Sequence, residues 1–428
     1  MKAIWILIYN IIVLPIFWSL LRILSIFNPK IRKGLEVRKS LFEDLRKNAA
    51  NLGKAARVWV HVSSLGEFEQ AKPIITALKQ RHPKVDIIVS FFSPSGYEHS
   101  KNIKTVSLIT YLPFDSVSNA RQFLDVLSPS VAIMIRYDLW PNHIWELERR
   151  KIPILIANGA MRANSSRLLP VIRNFHHYLY APVKAILTVS ASDYAAYKQL
   201  NLPNTEVETI GETRYDQVVR RREEARTKHL IPESLLNQKE VFIVGSSWEE
   251  DETILIPAYS RLANKDPHAI MILVPHEPTL STLERLETTL EAHQLRSIRF
   301  SCLNDYSNEN VILVDSIGIL MGLYQYGIVA YVGGSFKQGI HNVLEPAVYG
   351  IPLLYGPKHE NSHEAKILLQ RGGASLVTSV EECSRQLERL FSDAESRKRA
   401  GQECLQLVEQ SVGATEKFIA KLAHYVTL

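Results

Sequence analysis

Residues 58–78 read VWVHVSSLGEFEQAKPIITAL, and this stretch decides the fold class of the first half of the chain. Its valine-rich start predicts a buried strand, and the two serines that follow predict a loop. Apolar residues then recur at helical spacing from Phe68 to Leu78. A strand that passes through a short loop into a helix is the repeating unit of a parallel α/β sheet.

The same unit recurs along the rest of the chain, where runs rich in Val and Ile alternate with helical patterns. Two series of such runs predict two tandem Rossmann-like domains that face a cleft, with ligands at the carboxyl ends of the strands. The charged stretch 217–240 is interpreted as a surface helix and linker between them. The first series comprises 58–62, 85–92, 131–135, 153–157 and 185–189, and the second comprises 241–245, 269–274, 311–314, 328–332 and 352–355.

An apolar segment precedes the first domain. Residues 3–21 carry no charge, and their length is close to the roughly 20 residues that cross a bilayer core. Asn10 and Pro15 interrupt the segment, so we expect either a membrane anchor or an interfacial helix. A cleaved signal peptide and a buried core helix are the alternatives. Basic residues outnumber acidic ones between Lys30 and Lys47, so the positive-inside rule places the body of the protein in the cytoplasm.

Charge and cysteine content argue against two classes of function, nucleic-acid binding and a cysteine-based metal or disulfide site. The 428 residues carry a formal net charge of +6, but the excess of basic residues adjoins the apolar segment, so nucleic-acid binding is not favoured. The three cysteines are odd in number and lack CxxC spacing. Neither a disulfide framework nor a cysteine zinc site is therefore expected.

The loop after the first strand supplies the first candidate for catalysis. Gly66 permits close approach to the backbone, and Glu67 at the mouth of the helix is suited to act as a general base on a sugar hydroxyl. The alternative is that Glu67 only complements the helix dipole, which is worth ~0.3–1 kcal/mol.

A second candidate lies in the second domain, where a strand runs into the glycine loop 332–336 and then into 339–347. Backbone amides there are suited to hold a phosphate. Asn342 and Glu345 are spaced to share a helix face, and a carboxylate at that position can accept both hydroxyls of a ribose. Tight turns and an ordinary capped helix explain the glycines, but they do not explain Asn342 and Glu345 together.

Two further motifs are candidates for a role in chemistry. Arg214, within 211–216, is suited to reach a departing phosphate, with an ordinary surface arginine as the alternative. His359 to His363 matches the HExxH pattern of zinc proteases, but the preceding Gly356 and Pro357 place His359 in a loop. No DxD pair occurs, so no metal is expected.

Together these motifs resemble the transferases that move Kdo (3-deoxy-D-manno-octulosonate) from CMP-Kdo onto a lipid A precursor. The resemblance spans the chain through the apolar N-terminus, the HxxSxGE loop ending at Glu67, the Leu-Trp-Pro-Asn segment 139–142, the Ile-x-x-Ala-Asn segment 154–158 and the HNxLE segment 341–345. It implies a glycosyltransferase B fold and Glu67 as the catalytic base. The CMP contacts that it implies are Pro275, His276, Gly318, Ile319, Leu320, Asn342, Val343, Leu344 and Glu345.

Three positions depart from the family pattern. Arg136 stands where many members have a glutamate, Arg214 replaces a common lysine, and His276 replaces a common arginine. We expect Glu67 to act as the base, Arg214 to stabilise the leaving phosphate, and Arg136 to pair with the Kdo carboxylate or acceptor phosphates.

The resulting expectation is an inverting Kdo transferase of lipopolysaccharide synthesis that acts on lipid IVA at the cytoplasmic face of the inner membrane. CMP-Kdo is the donor, and neither a metal nor nucleic acid is involved. A membrane glycosyltransferase of the same fold that uses a UDP-sugar, similar to lipid A disaccharide synthase, is the alternative. The expected domains are an anchor at 1–28, an acceptor domain at 29–220 and a nucleotide-sugar domain at 221–428.

Overall fold

The computed structural model describes residues 1–53, 55–98, 100, 103 and 105–428. The chain divides into two compact units. Unit 1 comprises Met1–Gln217 and Val412–Leu428, and unit 2 comprises Val218–Ser411.

Unit 1 contains a sheet of seven parallel strands in the order β3-β2-β1-β4-β5-β6-β7. The strands are β1 (Arg57–Val62), β2 (Asp86–Phe91), β3 (Leu108–Tyr111), β4 (Val131–Ile135), β5 (Ile154–Gly159), β6 (Ala185–Thr188) and β7 (Glu206–Thr209). The helices that follow the N-terminal segment are α3 (Pro29–Glu36), α4 (Leu41–Ala49), α5 (Leu65–Arg81), α6 (Pro94–Glu98), α7 (Val117–Leu127), α8 (Pro141–Arg149), α9 (Pro170–Tyr180) and α10 (Ala191–Lys198), with a 3-10 turn at Ser166–Leu168.

Helix α11 (Thr213–Arg226) carries the chain from unit 1 into unit 2, which holds a second parallel sheet in the order β10-β11-β9-β8-β12-β13-β14. Its strands are β8 (Glu240–Ser247), β9 (Ala269–Pro275), β10 (Ser297–Arg299), β11 (Val311–Leu313), β12 (Val329–Val332), β13 (Leu353–Tyr355) and β14 (Ala374–Leu376). Its helices are α12 (Glu233–Leu236), α13 (Glu249–Ala263), α14 (Leu280–Ala292), α15 (Leu320–Leu323), α16 (Leu344–Ala347), α17 (His363–Arg371), α18 (Val380–Ser392) and α19 (Ala394–Glu409), with 3-10 turns at Phe300–Asp305 and Tyr324–Tyr326.

The strand order places a reversal of direction at the middle of each sheet. In unit 1, the chain builds outward from β1 to β3 and then returns to β4 on the other side of β1. In unit 2, the equivalent reversal lies between β8 and β12. Parallel sheets bind ligands at such topological switch points, outside the carboxyl ends of the strands. The prediction of two Rossmann-like domains is confirmed, and each of the ten predicted strands overlaps an observed one.

The N-terminal segment is one long helix made of α1 (Lys2–Ile8), a π-helical turn (Tyr9–Val13) and α2 (Leu14–Phe27). Its 26 residues have a mean hydropathy of 2.2 in their most apolar window, so by length and composition it is able to cross a membrane. No residue of that window is buried. The π-helical turn lies at Asn10, whose side-chain amide donates to the carbonyl of Ile6.

One face of this helix packs on unit 1. The indole of Trp5 donates to Asn174 at 2.7 Å, and Asn10 exchanges hydrogen bonds of 3.0–3.1 Å with Asn142. Further along, Trp18 packs against Phe114 with ring centroids 4.8 Å apart. These contacts extend over about 20 Å of helix at 1.5 Å per residue. The helix therefore lies along the surface of unit 1.

The last helix, α20 (Ala414–Ala423), corrects the expected domain boundary. The sequence pattern predicts that everything after residue 220 belongs to the second domain, but α20 lies in unit 1. Its apolar face buries Phe418 and Leu422 in the core beside β1 and α5. At its start, the carboxylate of Asp216 accepts the backbone N–H groups of Gly413 and Thr415 at 2.6 and 2.7 Å. Burial of this apolar face and the capping of α20 by Asp216 explain why the chain returns to unit 1.

Candidate active site

Glu67 is held at the start of helix α5, at the switch point of the unit 1 sheet. Ser64 caps the helix, and its hydroxyl accepts the N–H of Glu67 at 3.4 Å. The Glu67 carboxylate turns back to accept the backbone N–H of Ser63 at 2.6 Å and the Ser63 hydroxyl at 2.9 Å. These bonds satisfy donors at the helix start, so Glu67 has a capping role whatever its chemistry.

The environment of Glu67 also favours proton transfer. The side chain is 8% exposed, and burial raises the pKa of the carboxyl group against the lowering effect of the Ser63 hydrogen bonds. The negative charge of Asp138 raises the pKa further, and His61 opposes it. A raised pKa makes a carboxylate a stronger base, which is how buried carboxylates serve as general bases.

Space is left above the first turn of α5. A Cβ added at Gly66 would have Ser64 Oγ, at 3.9 Å, as its nearest neighbour. The packing of the described residues therefore does not require glycine at this position.

A hydrogen-bonded chain links the end of β4 to the core beside Glu67. The indole of Trp59 donates to the hydroxyl of Ser90 at 2.8 Å, and that hydroxyl lies 2.8 Å from Nδ1 of His61. The His61 Nε2 atom lies 3.1 Å from Asp138 Oδ2, which also accepts the indole N–H of Trp140 at 3.4 Å. If Ser90 donates to Nδ1, then Nε2 carries the proton and donates to Asp138. Asp138 is thereby fixed beside Glu67.

Arg136 follows strand β4 and stands at the same switch point. Its backbone has a φ of +63°, which is unusual for a residue other than glycine, and its N–H donates to Ala157 at 2.8 Å. Its Nε atom is buried without a hydrogen-bond partner among the described residues. Backbone strain and an unsatisfied donor at a sheet switch point are features of binding sites.

Arg214 is connected to the Glu67 helix through a second network. Its guanidinium forms an ion pair with Glu212, whose carboxylate also accepts the amide of Gln70 at 2.9 Å. Gln70 lies three residues after Glu67 on helix α5. The backbone of Thr213 is fixed by Asn158, which accepts its N–H at 3.0 Å. The structure therefore brings Glu67, Arg136 and the start of α11 to one edge of the unit 1 sheet.

In unit 2, the glycine loop after β12 is shaped by the backbone that it crosses. A Cβ at Gly333 would lie 2.1 Å from the carbonyl oxygen of Ser246, so only glycine fits there. Gly334 has a φ of +90°, and its N–H donates to the buried carboxylate of Asp251 at 2.8 Å. This loop closes over the end of β8 at the unit 2 switch point.

Asn342 and Glu345 meet, although helix α16 does not begin until Leu344, so they do not share a helix face as predicted. The Asn342 amide donates to Glu345 Oε1 at 3.3 Å, and Arg221 donates to the same oxygen at 3.0 Å. Glu345 is partly exposed, whereas the side chains of Val343 and Leu344 are buried. The Glu345 carboxylate is positioned to accept hydrogen bonds from a ligand. Val343 and Leu344 can contact a ligand only through their backbone atoms.

His276 lies in a column of three rings at the end of β9. Its ring stacks on Trp248 at a centroid distance of 4.4 Å and on His341 at 4.6 Å. The Trp248 indole donates to His341 Nε2 at 3.1 Å, which requires that nitrogen to be unprotonated. Burial and the neighbouring His276 lower the pKa of His341. The column joins Pro275 and His276 to the segment that carries Asn342.

The segment 318–320 lies at the start of helix α15. Gly318 is exposed with a φ of +84°, and Ile319 and Leu320 are partly exposed. A Cβ at Gly245 would lie 3.3 Å from Leu320 Cδ1 and 2.1 Å from the hydroxyl of Tyr324. This geometry places α15 directly on the end of β8, within the set of loops that surround the unit 2 switch point.

The HExxH motif does not form a zinc-protease helix. Helix α17 begins at His363 with Ser362 as its cap, and His359 lies in the preceding loop with its Nδ1 2.8 Å from the carbonyl of Pro357. The two histidines therefore do not lie one turn apart on a helix. In the part of the chain that the structure describes, no group of three or more His, Cys, Asp or Glu side chains is placed to hold a metal ion.

Sequence reasoning missed several members of the unit 1 site. Asp138, Ser90, Gln70 and Glu212 are separated widely along the chain and meet only in the folded sheet. A polar residue in the loop that follows a buried strand is the one signal available, and it applies to Asp138, which lies three residues beyond the end of β4.

The chain is similar in sequence to known proteins. Residues 35–217 match the family model described as 3-Deoxy-D-manno-octulosonic-acid transferase (kdotransferase). The chain is 28% identical over 424 residues to a 3-deoxy-D-manno-octulosonic acid transferase of Haemophilus influenzae, with 96% of each protein covered. It is 25% identical to the enzyme of the same name from Rickettsia bellii, with 85% of this chain and 86% of that protein covered.

Among solved structures, UDP-GlcNAc 2-epimerase from Neisseria meningitidis bound to UDP-GlcNAc matches with a TM-score of 0.58. The match covers 86% of this chain and 100% of that one at 13% identity. It shows a shared two-domain fold.

Proposed function

Because the chain belongs to the 3-deoxy-D-manno-octulosonic acid (Kdo) transferase family of glycosyltransferases, we propose that it transfers Kdo from CMP-Kdo to lipid IVA, with inversion at the anomeric carbon. The observation that carries this proposal is the buried Glu67 carboxylate, whose pKa is raised and which stands at the switch point of the unit 1 sheet.

The proposed reaction is a single displacement. Glu67 removes the proton from a glucosamine hydroxyl as that oxygen attacks the anomeric carbon of Kdo. The bond between this carbon and the CMP phosphate oxygen breaks, and CMP leaves with the electron pair. Attack from the face opposite the leaving group inverts the configuration. Asp138 acts through Glu67, because its charge strengthens the base.

The charges that develop have candidate partners. Arg214 is proposed to stabilise the departing CMP phosphate, and Arg136 is proposed to pair with the Kdo carboxylate or with acceptor phosphates. The Nε of Arg136 is buried and has no hydrogen-bond partner among the described residues, which supports a role in binding an anion. CMP carries a single phosphate, so arginines and backbone amides are proposed to suffice without a metal.

The donor is proposed to bind unit 2 at the loops around its switch point. Glu345 is suited to accept the ribose hydroxyls, with Asn342 and Arg221 fixing its orientation. Pro275 and His276 on one side and Gly318, Ile319 and Leu320 on the other complete the proposed CMP site. Val343 and Leu344 contribute their backbone.

The N-terminal helix is proposed to hold the enzyme at the cytoplasmic face of the inner membrane. Its outward face exposes large apolar residues such as Ile4, Leu7, Ile16 and Ile23, while Trp5 and Asn10 on its other face are hydrogen-bonded to the body of unit 1. A helix with this arrangement is suited to lie in the membrane interface. Exposed apolar residues at the start of α9, Val171 among them, are proposed to extend the same surface.

A transfer assay tests the proposal. Detergent-solubilised protein is incubated with CMP-Kdo, generated in place, and lipid IVA, and the lipid is analysed by mass spectrometry. We expect a gain of one or more Kdo masses, with the rate reduced by at least about 10²-fold in Glu67→Gln. Glu69→Gln, on the same helix and partly exposed, is the matched control and should retain activity.

The outcomes separate the proposal from its alternative. Transfer from a UDP-sugar, with none from CMP-Kdo, would favour the UDP-sugar transferase. Transfer from CMP-Kdo that persists at the wild-type rate in folded Glu67→Gln would overturn the assignment of the base. The anomeric configuration of the product, determined by NMR, tests inversion.

A further inference from the structure

Unit 1 contains an apolar cavity that has no part in the chemistry described above. It is open to solvent on one side and has a volume of about 210 Å³ between the end of helix α2, helix α3 and the loop after strand β2. Its apolar walls are formed by Leu21, Ile31, Gly34, Leu35, Phe92 and Phe114.

One wall of the cavity is fixed by a partly buried arginine. The Arg38 guanidinium donates to the carbonyl oxygens of Gly34, Phe92 and Leu112 at 2.7–2.8 Å, and it packs over the rings of Phe92 and Phe114. These bonds join α3 to the loops after β2 and β3. Hydrogen bonds within unit 1 therefore hold the cavity in shape, and the Arg38 guanidinium is used in forming its wall.

The cavity lies directly beside the residues that hold the proposed base. The N–H of Ser93, which lines the cavity, donates to the carbonyl of Ser63 at 2.9 Å, and Ser63 donates to Glu67. The neighbouring wall residue Phe92 stacks on Trp140 at a centroid distance of 4.6 Å, and Trp140 donates to Asp138. A single layer of residues separates the cavity from Glu67 and Asp138.

The cavity is also continuous with the helix proposed to lie in the membrane. Leu21 contributes to its wall, and the next turns of that helix expose Leu24 and Phe27. Lys30, exposed at the cavity, supplies a cation on its rim. An apolar cavity with a cationic rim at the membrane end of a protein fits an amphiphile that has an anionic head group.

We propose that this cavity holds one acyl chain of the acceptor glycolipid while its phosphorylated sugar lies over the Glu67 loop. The inference rests on the proposed function and locates the acceptor relative to the base. Anchoring one chain here holds the sugar hydroxyl at the distance set by the Phe92–Ser93 loop. The apolar wall favours the alkyl chain, and Lys30 favours the head-group phosphate.

Kinetics with two acceptors test the inference. One acceptor is the tetraacyl lipid A precursor in detergent, and the other is the same bisphosphorylated disaccharide with all acyl chains removed. Gly34→Leu fills the cavity, because a Cβ at Gly34 meets its nearest neighbour at 3.5 Å and the remaining atoms enter the empty space. Ile31→Phe is a second filling variant. Glu36→Leu adds similar bulk on the exposed side of the same helix and is the matched control.

We expect each filling variant to raise the KM for the acylated acceptor roughly tenfold or more, the effect of losing about two buried methylene groups. The KM and kcat for the deacylated acceptor should remain unchanged, which also shows that the variant is folded. Glu36→Leu should behave like the wild type with both acceptors.

Other outcomes overturn the inference. Equal losses with both acceptors would mean that filling the cavity disturbs the Glu67 loop. An unchanged ratio of the two KM values, combined with weaker binding to phospholipid vesicles, would mean that the cavity holds bulk lipid. Absence of transfer to either acceptor by the wild type would instead contradict the proposed function.

Discussion

The hydroxyl of Tyr9 donates a hydrogen bond of 2.8 Å to Oδ2 of Asp115, a carboxylate that is 1% exposed. The same carboxylate accepts the N–H groups of Asn142 and His143 at the start of helix α8, at 3.0 and 3.2 Å, and contacts His143 Nδ1 at 2.6 Å. A residue of the apolar N-terminal helix thus completes the hydrogen bonding of a buried charge in unit 1. Helix and unit are joined through this carboxylate, in addition to their apolar contacts.

The substitution Tyr9→Phe tests this joint. Removing the hydroxyl leaves Asp115 short of one donor, so we expect a loss of about 1–3 kcal/mol in the free energy of unfolding of unit 1. Urea unfolding in mild detergent measures the change. Tyr194→Phe, at an exposed surface tyrosine of the same unit, is the control and should have little effect. Equal stability of both variants would show that the Tyr9–Asp115 hydrogen bond does not contribute to the docking of the helix.

The pH dependence of transfer should report the interaction between Glu67 and Asp138. A general base works only when deprotonated, so kcat/KM should fall as the pH falls through the raised pKa of Glu67. The Asp138 charge is one cause of that raised pKa, and its effect is larger than the opposing effect of His61. In Asp138→Asn, we therefore expect the acid limb of the profile to move to lower pH.

Asp125→Asn is the control for this prediction, because Asp125 is an exposed carboxylate of unit 1 that pairs with Arg150. Its profile should match that of the wild type. An acid limb that stays in place or moves to higher pH in Asp138→Asn would mean that Asp138 does not set the basicity of Glu67.

The return of the chain to unit 1 predicts a stability effect at a distant sequence position. Phe418 in α20 is fully buried in the unit 1 core. Phe418→Ala should therefore cost about 3–5 kcal/mol through lost burial and the resulting cavity. Hydrogen exchange should show lost protection in β1 and α5 of unit 1. Phe242→Ala in the unit 2 core is the control, and its effect should fall on β8 and β9. Loss of protection confined to unit 2 in Phe418→Ala would contradict the observed placement of α20.

The sequence predicted the interior strands of both sheets but not their edge strands. Four strands were missed, namely β3, β7, β10 and β14, and they are the four edge strands. An interior parallel strand is buried on both faces and therefore forms a continuous apolar run. Edge strands do not need such a run, because they are less buried. Strand β7 has the sequence EVET and is mostly exposed, and β10 is only partly buried. Hydrophobic patterning alone carries little information about such strands.

The same reasoning separates what could be predicted of the site from what could not. Glu67 and the glycine loop stand in continuous motifs, so local sequence locates them. The pairing of His61 with Asp138 depends on β4 returning beside β1, which is a property of strand order. The ring column of Trp248, His276 and His341 likewise joins loops after three different strands. Contacts of this kind follow from topology, and no local pattern reports them.

The carboxylate of Glu345 provides the last prediction, which concerns the donor. Glu345 Oε1 accepts hydrogen bonds from Asn342 and Arg221, so the carboxylate is oriented before any ligand binds. Glu345→Gln keeps the shape of the side chain but removes its charge, and hydrogen bonds to a charged group are worth about 1 kcal/mol more than neutral ones. We expect the KM for CMP-Kdo to rise roughly five- to tenfold with little change in kcat, because the ribose does not react. Glu381→Gln, at an exposed carboxylate of unit 2 that pairs with Arg261 at 3.3 Å, is the matched control and should leave both constants unchanged. A fall in kcat at constant KM would instead mean that Glu345 acts on the transition state, and the assignment of this carboxylate to the ribose would have to be abandoned.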